Sequence, residues 1–265
     1  MTKIVACIKY SLDVSEVKVD PATKALRLSG VPQRVGNIDR NVLEAAVVLA
    51  QKYGATVHGL TLAPASAREA FRESLAMGLE DLTIVDSSAI SATDPAVTAA
   101  VLATAIEKIG DVTLVICGET SDDGVSYQVP PRVAERLHWP LLAYARNIDF
   151  ADGLLTADRD LDSGMQRAQT PLPAVLTVTQ ETNTPRRPTL MDAVKAKKKP
   201  VNMWQPAEDL GLTGEVIEKR AKVRRVSQEG IVVQRKQKMF SDGDMATTAN
   251  QLIDALVADH VVKEH

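Results

Sequence analysis

The 265 residues predict an α/β fold: a Rossmann-like parallel sheet with helices on both faces, an edge hairpin, an extended C-terminal arm and a final helix. Three observations carry this. From the start to about Thr179, short apolar, β-branched runs alternate with helix-length segments, the pattern of a parallel sheet covered by helices. Those segments carry their own start and stop signals. After Pro140 the pattern turns to two extended pieces, and beyond Gln180 to a long polar stretch.

The predicted strands are Lys3 to Ile8, Thr56 to Leu62, Leu82 to Val85 and Val112 to Cys117. Asp39 is placed to cap a helix ending at Tyr53, with Gly54 behind it, and Ser66 with Glu69 reads as a capping box before a helix stopped by Gly78. Asp94-Pro95 starts a third helix that ends near Gly110. Ala and Val on more than one side of these helices press them onto the sheet. Ala145 to Phe150 and Leu154 to Arg159, around Asp152-Gly153, read as a hairpin at the sheet edge, and Pro173 to Thr179 as a further buried strand. The stretch from Gln180 to about Lys238 is rich in Pro, Lys and Arg and is read as lacking core material. A last helix, Met245 to Val261, gathers Leu252, Ile253, Leu256 and Val257 on one face, suited to packing on a second chain.

A hydrophobic content of 45% supports a globular core, and a net charge of -3 gives no general attraction to nucleic acid or anionic lipid. Cys7 and Cys117 sit in apolar runs and read as buried, reduced core residues, which suits a reducing compartment. The N-terminus opens directly into a strand, without the pattern of a signal peptide, and no run approaches the roughly 20 apolar residues of a membrane helix. A cytoplasmic protein that neither binds nucleic acid nor inserts into a membrane is expected. His58, His138, His260 and His265 lack metal-ligand spacing, and no nucleophile elbow or paired carboxylate motif stands out, so no catalytic or metal-ligating residue is assigned.

Two segments carry chemistry. The fourth strand runs into Gly118-Glu-Thr-Ser-Asp-Asp-Gly-Val-Ser-Tyr-Gln-Val-Pro-Pro131, followed by helical pattern from Arg132 to Leu137. A loop between a strand end and a helix start is where backbone N–H groups converge on an anion. It is neither a Walker loop nor a GxGxxG fingerprint. Its residues alone fit either a phosphate loop or an ordinary capped turn. The second segment, Asn183 to Lys199, is a proline-stiffened exit, then a short helix Leu190 to Lys198 capped by Thr189, with Leu190, Ala193 and Val194 on one face. Leu190 is the anchor candidate, since burying such a side chain in a partner contributes about 1.5–3 kcal/mol. Lys195, Lys197, Lys198 and Lys199 would raise encounter rate more than affinity. A solvated basic loop is the alternative.

Both segments resemble those of electron transfer flavoprotein β subunits. Asp123, Gly124, Gln128, Val129 and Pro131 match the family's Asp-Gly-Asp-Thr-Ala-Gln-Val-Gly-Pro; Ser126 keeps a hydroxyl for Thr, while Val125 replaces Asp and Pro130 replaces Gly. Asn183, Pro185, Arg186, Leu190 and Lys195 to Lys199 match the family's recognition loop, Asn-x-Pro-Arg-Tyr-x-x-Leu-x-x-Ile-Met-Lys-Ala-Lys-Lys-Lys, with Arg187 and Val194 departing from Tyr and Met. Pro173 to Val178, Asp209-Leu-Gly and Asn41 to Ala46 extend the resemblance over essentially the whole chain.

The resemblance implies a nucleotide held by Cys7, Lys9, the turn Asn37 to Asp39, Leu62, Ser121, Asp123, Gly124, Val125, Ser126, Gln128 and Val129. It implies docking through Leu190, Ala193, Val194, Lys195, Lys197 and Lys198. The division implied is a nucleotide-binding domain over 1–180, a recognition loop and partner-wrapping arm over 181–238, and a helix over 239–265 that packs on an α subunit. That α subunit would hold most of the FAD, with AMP or a second FAD in this chain. The activity implied is electron carriage between flavin dehydrogenases of the acyl-CoA type, as in fatty acid β-oxidation, and a quinone oxidoreductase. An NADH-oxidising, electron-bifurcating complex is the alternative, and a stand-alone nucleotide-binding regulator a third.

Overall fold

A computed structural model of the chain describes residues 3–88, 90, 94–223, 225–232, 236–241 and 243–262. Its framework is a nine-stranded sheet. In chain order the strands are β1 (Lys3–Cys7), β2 (Thr56–Ala63), β3 (Asp81–Asp86), β4 (Val112–Gly118), β5 (Leu141–Ala151), β6 (Leu154–Leu161), β7 (Gly164–Pro171), β8 (Ala174–Val178) and β9 (Val201–Trp204). They lie in the order β7-β6-β5-β8-β4-β1-β2-β3-β9. From β5 through β9 every neighbouring pair is parallel, while β5, β6 and β7 form an antiparallel meander at one edge.

The helices are α1 (Asn37–Tyr53), α2 (Arg72–Met77), α3 (Pro95–Ile109), α4 (Val129–Leu137), α5 (Leu190–Ala196), α6 (Pro206–Leu210), α7 (Gly214–Arg220) and α8 (Met245–Ala258). Side chains alternate across a strand, so each sheet face builds its own core. Ile4 and Ala6 of β1 face the core that holds Val42, Leu43 and Val47 of α1. Val5 and Cys7 face the opposite core, with Val97 and Ile106 of α3 and Val133 of α4. Strands buried on both faces read as largely apolar runs, which is why β1, β4 and β8 are visible in the sequence, while β2 and β3 are marked by apolar and β-branched residues interrupted by His58, Gly59 and threonines.

Four expectations change. Asp39 is not the cap of α1: the cap is Gly36, and Asp39 lies inside the first turn with its carboxylate turned to the end of β1. Ser66 and Glu69 form no capping box, because the segment opens as a 3-10 helix, Ala65–Phe71, behind Pro64; Glu69 instead ion-pairs with Arg72. The edge hairpin has a third strand, β7, whose exposed polar residues give no alternation to read. The stretch after Gln180 does contribute core: β9 extends the sheet beside β3, and Leu210, Leu212 and Ile217 are buried in the second core. Elements of four to seven residues are too short for their period to stand out.

The chain forms two compact units: Leu26–Gln228 with the N-terminal residues through Lys18, and Val19–Ala25 with the residues from Glu229 onward. In the second unit, Gly230 N–H donates to the Lys24 carbonyl at 2.8 Å, and Lys236 pairs with Asp259. Its helix α8 starts at the expected Met245, capped by Asp244, and ends at Ala258, short of Val261. None of its residues is buried, and Leu252 and Ile253 are exposed.

Candidate functional site

Adjacent parallel strands β1 and β4 end side by side, at Cys7 and Gly118. In a parallel sheet, this C-terminal edge is where loops converge. The polypeptide leaving β1 places Lys9 so that its backbone N–H donates to Asp39 Oδ1 at 2.9 Å, which ties the strand exit to the first turn of α1. The Lys9 ammonium donates to Ser121 Oγ at 3.2 Å and ion-pairs with Asp123. Ser121 Oγ in turn donates to Asp123 Oδ1 at 3.0 Å. Lys9, Asp39, Ser121 and Asp123, drawn from three separate segments, therefore meet at one place.

The start of α1 has no side-chain cap of its own. Asp122 supplies it from the loop after β4, its Oδ2 accepting from Asn37 N–H at 2.8 Å. Sequence reasoning does not single out Asp122, since nothing local marks a cap delivered from 85 residues away. Glycines make the approach possible: a Cβ at Gly36 would collide with Asp39 Oδ2, and one at Gly118 would lie 2.6 Å from Ile38 Cγ2. At Gly124 a Cβ would come within 3.0 Å of Ser121 Oγ and 3.6 Å of Lys9 Nζ, so the missing side chain leaves the loop open over that pair.

The loop backbone is tightly turned. Val125 (φ +41°) and Tyr127 (φ +55°) are left-handed without being glycine, and Gln128 follows at φ -103°, ψ -26°. A left-handed residue followed by a right-handed one turns successive N–H groups into a shared concavity. α4 begins directly after it with no side-chain cap, while the Gln128 side chain accepts from Arg132 at 3.0 and 3.2 Å. Ser126 Oγ accepts from Gln128 N–H at 3.4 Å.

Asp39 is strongly perturbed. It is 4% exposed, and burial pushes its pKa from 3.8 up to about 7; the carboxylates of Asp122 and Asp123 add to this, while the N–H and charge of Lys9 oppose it. Its Oδ2 has no hydrogen-bond partner among the described residues, nor has the buried Thr120 Oγ1. The remaining predicted residues are less central. Cys7 and Leu62 pack on the α3–α4 core, and Cys117 beside Cys7 has its thiol held high by their hydrogen bond and then by burial. Asn37 is exposed, its side chain accepting from Arg34 at 3.3 Å, and Val129 packs on the same core as Cys7.

The second segment is anchored at its base and exposed at its tip. Arg186 forks onto Glu44 at 2.7 and 2.9 Å, and its N–H donates to the same carboxylate at 3.0 Å. Burial, the largest single effect on Glu44, raises its pKa, but the Arg186 bonds overcome it and leave the carboxyl below its usual range. Asn41 Nδ2 donates to the carbonyls of Asn183 and Gln180 at 2.7 and 3.1 Å. Thr189 and Asp192 form a reciprocal capping box on α5. Only Ala196 of α5 is buried; Leu190 is 88% exposed, and Met191, Ala193, Val194, Lys195, Lys197 and Lys198 are exposed as well. Lys199 departs from the other lysines, its ammonium donating to the carbonyls of Leu75 and Leu79. It fastens the helix rather than facing a partner.

Among the described residues, no cluster of His, Cys, Asp and Glu has the arrangement of a metal site, and no helix is long and apolar enough to cross a membrane. His265 lies outside the described residues.

The electron transfer flavoprotein domain model matches residues 25–209. The caffeyl-CoA reductase-Etf complex subunit CarD of Acetobacterium woodii is 34% identical over 214 residues, 80% of this chain and 81% of that one. The electron transfer flavoprotein subunit beta of Thermoanaerobacterium thermosaccharolyticum is 31% identical over 260 residues, 98% and 99% of the two chains. Protein FixA of Azorhizobium caulinodans is 33% identical over 216 residues, 79% and 76%. With both motif segments in place on a parallel α/β sheet and the match running nearly end to end, the chain belongs to the electron transfer flavoprotein family and is of its β-subunit type.

Proposed function

We propose that the chain is the β subunit of a cytoplasmic, heterodimeric electron transfer flavoprotein that carries electrons between flavin dehydrogenases of the acyl-CoA type and a quinone oxidoreductase. In this reading the α subunit holds most of the FAD, and this chain binds AMP at the loop Ser121–Val129. The observation that carries it is the meeting of Lys9, Ser121, Asp123 and the open Gly124 at the C-terminal edge of the parallel sheet, beside a helix start without a side-chain cap, the position at which such sheets bind phosphate. The flavin supplies the redox chemistry when bound, and the chain's own residues position and enclose.

Leu190, Ala193 and Val194, ringed by Lys195, Lys197 and Lys198, form the docking face for a redox partner. The arm within 181–238 and the helix within 239–265 pack on the α subunit. Exposure of Val226, Ile231, Met239 and Met245 supports that role.

A second reading is an NADH-dependent, electron-bifurcating complex with a second FAD at the same loop. It is favoured by Gly124 and Gln128-Val129, and by the likeness to a subunit of the caffeyl-CoA reductase-Etf complex, whereas Val125 counts against it. Extracting nucleotides from the purified complex separates the two. One FAD with one AMP per heterodimer supports the carrier, two FAD support bifurcation, and no nucleotide beyond one FAD would sink both assignments of the loop.

A further inference from the structure

The C-terminal arm begins at an unusual join. α7 ends at Arg220 with Ile217 buried beneath it, and the next residues run past the start of α3. There Asp94, 3% exposed, spans two elements at once. One oxygen accepts from Ala96 N–H at 2.6 Å and so caps α3. The other accepts from the N–H groups of Lys222 and Val223 at 2.5 and 2.6 Å. Burial, the largest effect, raises the carboxyl, but these three donors, with the charge of Arg132, outweigh it and keep the group below its usual range, hence ionised at neutral pH.

Capping α3 needs a single acceptor oxygen, which Ser or Thr would supply with less cost of desolvation. The second oxygen serves only the arm. The arm then presents exposed apolar surface, with Val223 at 62% and Val226 at 87% exposure. An arm without a fixed root would lose more conformational entropy on docking, which weakens association for the same contacts.

We propose that Asp94 is the latch that fixes the root of the C-terminal arm, and is thereby a positioning residue for assembly with the partner subunit. The assembly half of this rests on the heterodimer reading above; the latch itself does not.

Asp94→Ser tests it, since serine keeps the cap on Ala96 but is too short to reach Lys222 and Val223. Hydrogen exchange on the full-length chain should show the amides of Lys222 and Val223 exchanging roughly tenfold faster or more, with α3 protected as before. In the complex with its flavin-bearing partner, the dissociation constant should rise by roughly tenfold while the thermal midpoint of the free chain changes little. Asp94→Asn, with one acceptor for three donors, should also weaken the complex and covers the case in which the serine variant folds poorly. Unchanged exchange at Lys222 and Val223 would overturn the latch. Faster exchange with unchanged dissociation would overturn its role in assembly. Failure of the wild-type chain to pair with any flavin-bearing subunit would remove the heterodimer reading while leaving the exchange result to decide the latch.

Discussion

The backbone N–H of Lys9 donates to Asp39 Oδ1 at 2.9 Å, so the end of the first strand is held by a carboxylate that is itself buried inside the first turn of a helix. The other oxygen of Asp39 has no partner among the described residues, and Gly36 leaves the room it occupies. A carboxylate half satisfied and cut off from water holds its proton to higher pH than usual, here to about 7.

That predicts a pH dependence of stability whose sign is fixed. Below the unfolded-state pKa the carboxyl is neutral in both states. Between it and about 7, the unfolded chain releases the proton while the folded chain keeps it, so stability falls as pH rises, by on the order of 4 kcal/mol in total. Above that window the loss is complete and constant. Asp39→Asn should remove this slope, so the difference in unfolding free energy between variant and wild type should grow in the variant's favour from pH 4 to 7. Denaturant unfolding across that range measures it, and parallel curves would contradict the assignment.

Lys9 links the strand exit to Ser121 and Asp123. Lys9→Met keeps the length of the side chain and removes three donors and the charge. If the cradle holds a phosphate, nucleotide affinity should fall roughly ten- to a hundredfold, the loss of one charge-assisted hydrogen bond. Equilibrium dialysis with AMP and with FAD reads this directly; equal affinities for variant and wild type would take Lys9 out of the site.

The Arg186–Glu44 fork joins the base of the recognition segment to α1 and is mostly buried on the Glu44 side. Glu44→Ala leaves the guanidinium without its fork partner and should destabilise the fold by about 2 kcal/mol. Arg186→Ala should add little to it in the double variant, because the two act as a pair. Additive losses in denaturant titrations would show that they do not.

Much of the fold is legible in the sequence, and the exceptions share a cause. Strands buried on both faces, such as Val112–Gly118, announce themselves as apolar runs, and Asp94-Pro95 carries a helix start within two residues. Thr189 with Asp192 also declares its cap locally. Asp39 misleads because its type and place suit a cap, yet its oxygen is drawn to a backbone N–H 30 positions earlier. Asp122 escapes notice for the mirror reason, capping a helix it does not precede. Lys199 looks like one more exposed lysine until α2 and the turn after it bring the carbonyls of Leu75 and Leu79 to it. Contacts made across the fold leave no local pattern, so residues whose partners are distant are the ones a linear reading misplaces.

Leu190 is the clearest case of a residue whose fold role and functional role separate. It is 88% exposed at the first position of α5, where the capping box, Ala196 and Lys199 already hold the helix in place. Leu190→Ala should therefore shift folding stability by less than about 0.5 kcal/mol and leave FAD content and heterodimer assembly unchanged. Electron transfer with a flavin dehydrogenase should slow by roughly tenfold or more if the side chain enters a partner pocket, since burying it is worth about 1.5–3 kcal/mol. The neighbouring lysines predict a different response: charge removal at Lys195, Lys197 and Lys198 should lower the association rate at low salt and matter little at high salt. Stopped-flow transfer rates at two ionic strengths distinguish the two contributions. A Leu190→Ala variant that transfers electrons at the wild-type rate would mean that α5 is merely a solvated basic helix.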